Sequence, residues 1–333
     1  MLTRTVVFVV YDGFQLLDLA GPLDVFATAN HAVGGPAYRL ITASPGGRTI
    51  ELAGGVSFAV DRALEEVAAT TEVIDTLLVV GGFGAFVPET SSEVAQQLPA
   101  LARRSQRITS VCAGALVLAA AGLLNGYRAT THWGAGDHLA RAFPLVRVEV
   151  DRIFVHDRNR WTSAGVSAGI DMALALVDAD LGAEIAQLIA RQLVIYVHRA
   201  GGQEQFSAQL RSQPARTPSI RAVQQWLPDH LTGDLTIAAL ATRAGMSERT
   251  FARSFRAETG TTPAHFIETL RLEAARRLLE STDLTVDAIA RTVGYKHGKT
   301  LHRLIARRLS TTPDAYRQQI ASTTATHPQL NPA

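Results

Sequence analysis

The chain of 333 residues is 47% apolar and 19% charged, enough to bury two domain cores, and no apolar run reaches the ~18–20 residues that a bilayer crossing needs. A single cysteine, Cys112, excludes an intrachain disulfide and a cysteine-built zinc site. The net charge of +2 hides a division: residues 1–214 carry 16 Lys and Arg against 20 Asp and Glu, while residues 215–333 carry 16 against 10, so only the second part suits a polyanion.

The opening MLTRTVVFVVYDGF runs into acidic residues without a small-residue cleavage site, so it predicts a buried first strand rather than a leader. Apolar runs at Thr5–Tyr11, Tyr38–Ala43, Thr76–Val80, Arg107–Val111 and Trp161–Ser163 predict strands. Helical spacing holds over Leu17–Ala29, Glu93–Ser105, Gly114–Gly122, Gly134–Ala142 and Ser167–Leu181. Continuous apolar strands alternating with helices predict an α/β sandwich of flavodoxin-like type, with a mostly parallel sheet covered on both faces. Val148–Val150 and Ile153–His156, split by Asp151-Arg152, read as a hairpin, and Gly182–Arg199 as one further amphipathic helix. The division reads as one domain over 1–200, a polar linker over 201–219, a second domain over 220–320 and a disordered tail over 321–333.

From Ile220 the pattern is all helical, and TIAALATRAGMSERTFARSF and TVDAIARTVGYKHGKTLHRL echo each other. In the first unit Thr236 caps a short helix that ends at Gly245, and Ser247 caps the next, with Thr250 at the capping-box position. Phe251 and Phe255, four apart, form one buried stripe and leave Glu248, Arg249, Arg253 and Arg256 outward, a face suited to a DNA major groove. In the second unit Leu301, Leu304 and Ile305 face inward and leave Lys299, Thr300, Arg303 and Arg307 for DNA. Lys296 and His297 stand at the entrance of that helix, beside the positive end of its dipole, where phosphate binds well. Between the units, Ile267, Leu270, Ala274 and Leu278 mark a long, stiff connector.

The run from GMSERTFARSF through TLRLEAARRLLEST to TPDAYR resembles the AraC family of transcription regulators. It has the Ser-initiated recognition helix, Thr-Gly-x-x-Pro, the Arg-Leu-x-x-Ala connector and the Gly-aromatic turn before the second helix. Three places depart from the family's pattern: Ile305 stands for Phe, Ser310 for Gly, and the turn is Lys296-His297-Gly298. The resemblance implies an all-α domain with two helix-turn-helix units that binds double-stranded promoter DNA.

In the front part, RITSVCAGALVLAAAGLLNG delivers Cys112 from a strand into a tight turn that opens a helix. A thiol at a helix N-terminus is expected to lean toward thiolate. The loop Gly81-Gly82 and Asp18, after two other strands, belong to the same sheet edge, with N–H groups turned to a shared cleft. These segments resemble the PfpI-type branch of the class I glutamine amidotransferase-like superfamily, and GFQLLDLAGPLDVF and SVCAGALVLAAAGLLNGYRATTHW are close to isonitrile hydratases. The resemblance implies roles for Asp18 and Cys112; Ala113 replaces the His of the peptidases and the Thr of the hydratases, which argues against a peptidase dyad. Joined to an AraC-type tail, the pattern resembles GlxA-like regulators.

The reading is therefore a DNA-binding regulator, not an enzyme, with a ligand pocket of Asp18, Gly81, Gly82, Cys112, Ala113 and His132. It expects a small, nitrogen-containing effector, a cytoplasmic homodimer, and no cofactor, metal or membrane partner. His132 reads by default as a hydrogen-bonded structural histidine. The alternative is a cysteine-dependent hydratase or amidase fused to a DNA-binding domain, with an inert or redox-sensing Cys112 also open.

Overall fold

The computed structural model describes the chain except residues 1, 53–54, 71, 196–198, 200, 202–204, 206–213, 310 and 319–333. It divides into two compact units, Met1–Gln205 and Phe206–Ala333. No helix among the described residues is long and apolar enough to cross a membrane.

The first unit runs β1 (Arg4–Val9), α1 (Leu16–Ala32), β2 (Tyr38–Ser44), β3 (Ile50–Glu51), β4 (Ser57–Phe58), β5 (Arg62–Ala63), α2 (Leu64–Ala69), β6 (Ile74–Val79) and α3 (Pro88–Ala102). It continues with β7 (Ser105–Val111), α4 (Gly114–Ala120), β8 (Arg128–Ala129), α5 (Gly136–Ala142), β9 (Arg147–Val148), β10 (Phe154–Asp157), β11 (Arg160–Ser163), α6 (Ala168–Leu181) and α7 (Ala183–Gln192). The main sheet has the order β10-β11-β7-β6-β1-β2-β5, and only the β10–β11 pair is antiparallel. Val6 to Val10 and Leu77 to Val80 are wholly buried, as unbroken apolar strands between two helical layers must be. From central β1 the chain winds to β2 on one side, then to β6 and β7 on the other. That reversal lies at the carboxyl ends of β1, β6 and β7, the place where ligands bind in sheets of this kind.

Two readings of this unit are corrected. Val148–Val150 and Ile153–His156 do not form a hairpin: β9 pairs in parallel with β8, and β10 turns at Arg158-Asn159 onto β11. Asp151 and Arg158 both adopt left-handed backbone, at φ 64° and 57°, so both sites look like turns in sequence and only pairing tells them apart. The helix expected over Gly182–Arg199 ends at Gln192, and Arg199 is instead held by its backbone N–H and guanidinium to Asp171.

The second unit comprises α8 (Pro218–Trp226), α9 (Ile237–Arg243), α10 (Glu248–Thr259), α11 (Pro263–Ser281), α12 (Val286–Thr292) and α13 (Gly298–Leu309), with 313–318 also helical. Thr236, Ser247, Thr262 and Thr285 each accept the N–H three residues on, so four helices start on side-chain caps. One core gathers Leu240, Phe251, Phe255 and Phe266, and a second gathers Leu272, Ile289, Leu301, Leu304 and Ile305. The connector α11 contributes to both. Of the expected linker 201–219, Gly201 and Gln205 pack on the first unit and Ala215 and Thr217 on the second. Most of the rest lies outside the described residues, as does the expected tail 321–333.

Candidate functional sites

Helix α10 is braced from behind. Phe251 and Phe255 are wholly buried, their rings 5.6 Å apart, and Phe255 lies 5.7 Å from Phe266 of α11. Ser247 Oγ accepts the Thr250 N–H and donates to Thr250 Oγ1 at 2.9 Å, so the capping pair forms as read. Glu248, Arg249, Arg253 and Arg256 stand exposed on the opposite face. On α13, Leu301, Leu304 and Ile305 are buried, Lys299 and Arg303 are exposed and Thr300 is half-buried, while Lys296 and His297 are exposed in the turn before it.

Four features of the second unit escaped the sequence reading. The first buried anchor comes six residues after Gly245 in one unit but seven after Gly294 in the other, so the second turn is one residue longer. With that offset Lys299 corresponds to Arg249, Arg303 to Arg253, and the exposed His302 to Ala252. His302 therefore shares the outward face, and aligning the repeats with one insertion would have found it.

Arg307 corresponds to the exposed Ala257. It pairs with Glu268 of α11 at 2.6 Å, alongside Arg308 at 2.8 Å. The carboxylate of Glu268 lies low for its type because two guanidiniums hydrogen-bond it. Arg307, read from sequence as DNA-facing, is exposed and also ties α13 to the connector.

The entrance of α13 is also not an open anion site. Gly298 N–H donates to Asp287 Oδ1 at 2.8 Å, so a carboxylate already meets the positive end of the dipole. A Cβ on Gly298 would lie 2.3 Å from that oxygen, which is why the atypical Lys296-His297-Gly298 turn carries glycine.

The two reading units touch directly as well. Arg271 of α11 donates from Nε and Nη2 to the Leu231 carbonyl, at 3.2 and 2.7 Å, and its guanidinium lies 5.0 Å from the Tyr295 ring centre. Gly294 sits against the same carbonyl at φ 89°.

In the first unit that sheet edge gathers Asp18 from α1, Gly81 after β6 and Cys112 after β7. Asp18 is wholly buried, and its Oδ1 accepts the Val166 N–H at 2.7 Å. Its Oδ2 has no partner of full hydrogen-bond geometry among the described residues; the Cys112 thiol and Gly81 N–H are its polar neighbours. Burial raises the Asp18 carboxyl from 3.8 to about 6, against the opposing pull of those three donors. A carboxyl raised on folding holds its proton more tightly in the folded chain. Its contribution to stability is complete below about pH 4 and is lost as pH climbs through about 6, on the order of 3 kcal/mol in all. In urea unfolding between pH 4 and 7, Asp18→Asn is expected to remove that slope relative to the parent; equal slopes would refute the assignment.

The expectation of a Cys112 thiolate is overturned. Burial and the nearby Asp18 carboxylate push the thiol well above its ordinary value, and the approach of the Ala113 N–H does not offset them. The thiol is also closed in by backbone. A Cβ on Gly81 would stand 2.6 Å from Cys112 Cβ, and one on Gly165 would stand 2.2 Å from it. Cys112 itself holds φ 56°, and its N–H donates to the Ser163 carbonyl.

Gly82 bridges to Phe14 and packs closely against the Gly13–Gln15 loop that follows β1. Ala113 is buried at the start of α4. His132 is half-buried, with Nδ1 accepting the Gly134 N–H at 3.2 Å and its ring 5.3 Å from that of Trp133. Burial holds its imidazole below the ordinary value, in keeping with the structural role read from sequence. The reading missed Tyr11, whose buried hydroxyl donates to the Val80 carbonyl, and whose ionisation both Cys112 and Asp18 oppose. It also missed Thr131, whose hydroxyl donates to the Cys112 carbonyl at 2.8 Å.

Residues 4–179 match the DJ-1/PfpI family, and residues 240–319 match a helix-turn-helix domain. The chain is 30% identical over 319 residues to the HTH-type transcriptional regulator GlxA of Rhizobium meliloti (strain 1021), covering 95% of this chain and 96% of that one. It is 30% identical over 293 residues to the HTH-type transcriptional regulator GbdR of Pseudomonas aeruginosa (strain UCBPP-PA14), covering 88% and 78%. The isonitrile hydratase of Pseudomonas putida is 33% identical over 186 residues, 56% of this chain and 76% of that protein. An AraC family transcriptional regulator from Pseudomonas putida shares the fold at TM-score 0.50 and 22% identity, covering 57% of this chain and 99% of that structure. The chain belongs to the DJ-1/PfpI family through its first unit and, taken along its length, to the AraC-type helix-turn-helix regulators of transcription.

Proposed function

We propose that this regulator reads promoter DNA through Ser247, Glu248, Arg249, Thr250, Arg253 and Arg256 on one helix, and through Lys296, His297, Lys299, Thr300, His302 and Arg303 on the other. The effector is a small nitrogen-containing molecule, bound at Asp18, Gly81 and Cys112 without being converted. The chain works as a homodimer, so that occupancy of two sensing units adjusts the placement of two reading units on one operator. The reading of binding without turnover rests on the Cys112 thiol, kept protonated by burial and walled by Gly81 and Gly165. A nucleophile needs the opposite on both counts.

The test uses the full chain. DNA selected from a random pool should be bound specifically, with affinity falling by about 10³ or more between 50 and 200 mM salt if six or more phosphates are neutralised. A panel of amines, amides, nitriles and isonitriles should then yield compounds that raise Tm without forming product. Turnover that disappears in Cys112→Ala would overturn the non-catalytic reading and favour the hydratase-like one.

A further inference from the structure

The last described residues of the first unit do not simply lead away from it. Gln205 lies against the loop that supports Cys112. Its Nε2 donates to the Thr131 carbonyl at 2.8 Å, its Oε1 accepts the Trp133 N–H at 2.9 Å, and its own N–H donates to Asp151 Oδ1 at 2.8 Å. The Thr131 hydroxyl in turn donates to the Cys112 carbonyl at 2.8 Å. One side chain thus spans both backbone groups flanking His132, two hydrogen bonds from the site.

A second anchor reaches the same site from its other wall. Arg199 donates through Nη2 to Ser167 Oγ at 2.9 Å and through Nε and Nη2 to the nearly buried Asp171 at 2.9 and 2.6 Å. Ser167 directly follows Val166, the residue whose N–H holds Asp18. Between the two anchors, the Gly201 carbonyl accepts the Phe154 N–H, and a Cβ there would strike the Phe154 carbonyl at 2.6 Å. Glycine at 201 therefore lets its own backbone come close to β10.

Cys112, Asp151 and Val166 are three of five non-glycine residues among those described with left-handed backbone, at φ 56°, 64° and 51°. All three lie on the routes joining site and anchors. Such backbone persists only while its surroundings hold it, so a change at the site shifts these residues first.

We propose that Gln205 and Arg199 are positioning residues that couple occupancy of the Asp18–Cys112 site to the chain entering the DNA-reading unit. A ligand that displaces Cys112 or Asp18 moves the Thr131 or Val166 loop and releases the corresponding anchor. This rests on the ligand-sensing reading above, and its test needs no ligand.

Hydrogen exchange on the full-length protein compares the parent with Asp18→Ala, Thr131→Val, Gln205→Ala and a remote surface control, Glu72→Gln. Thr131→Val is nearly isosteric and removes only the hydroxyl on the Cys112 carbonyl, so it serves if Asp18→Ala fails to fold. The two site variants should speed exchange in peptides covering 199–205 by about tenfold or more, and the control should leave them unchanged. Affinity for the selected DNA should shift in the site variants, and Gln205→Ala should abolish that shift, giving a non-additive cycle. Unchanged exchange at 199–205 in both site variants, or strictly additive effects on affinity, would overturn the coupling. If Gln205→Ala loosens the segment while DNA affinity stays constant in every variant, the coupling fails but the regulator reading stands; if the parent selects no DNA, that reading itself fails.

Discussion

Arg253→Ala lowers affinity for the selected operator by roughly 5–150-fold, the ~1–3 kcal/mol that a bidentate contact with a base contributes. Arg303→Ala, its counterpart in the second unit, has an effect of the same size. Both side chains project from helices whose rear faces are wholly buried, so truncation should leave the unfolding temperature within a degree or two. Their losses should fall on particular base pairs, seen as relaxed preference when each operator position is changed in turn. Arg307→Ala provides the contrast. Its guanidinium is engaged by Glu268, so base preference should survive. Unaltered specificity in both Arg253→Ala and Arg303→Ala would refute the placement of the reading face.

Gly294→Ala should abolish operator binding without touching a single DNA-facing residue. The position holds φ 89°, and a Cβ there would lie 1.9 Å from the Leu231 carbonyl and 2.7 Å from an Arg271 nitrogen. Left-handed backbone costs a non-glycine residue about 1–2 kcal/mol, and forcing atoms into a packed contact adds about 1–3 kcal/mol. A combined loss of roughly 2–5 kcal/mol should appear in urea unfolding of the full chain.

Gly245 is the internal control. It occupies the equivalent turn at φ 64° with nothing within 4 Å of an added Cβ, so Gly245→Ala should show the backbone cost alone. Equal effects at the two glycines would mean that the Leu231–Arg271–Tyr295 contact does not hold the units together. The comparison matters for function because two recognition helices read one stretch of DNA only if their separation and phase are fixed. The connector α11 sets the separation, and this contact, with the Glu268 pairs to Arg307 and Arg308, constrains the phase.

Much of the proposed reading face was legible because helical periodicity and packing say the same thing. Phe251 and Phe255, four apart, can only bury together, and a helix with one buried stripe must turn its remaining residues outward. The caps at Thr236 and Ser247 are local events between residues three apart, so they too are written in the sequence. The same logic gave no sign of the ion pair that Arg307 makes, because its partner Glu268 lies 39 positions away and no local pattern announces it. It also passed over His302, hidden by the single extra residue in the second turn. The front site was legible as a set of residues: strand ends in a parallel sheet converge, and Asp18, Gly81 and Cys112 each follow one. Its chemistry was not. A short helix behind a cysteine argues for thiolate, whereas the depth of burial and an adjacent carboxylate, neither visible in the local sequence, decide the opposite.

By itself, then, the amino-acid order determined the two kinds of architecture, the stretches that form the helix-turn-helix units, and the strand ends that meet at one sheet edge, since each depends on neighbours within a few residues. The tertiary structure alone decided the upward shifts at Cys112 and Asp18, the engagement of Arg307, the need for glycine at 294 and 298, and the docking of Gln205 beside Thr131 and Trp133. All of these arise from groups distant in the chain that meet in space, where dielectric and close contact, rather than periodicity, set the energy.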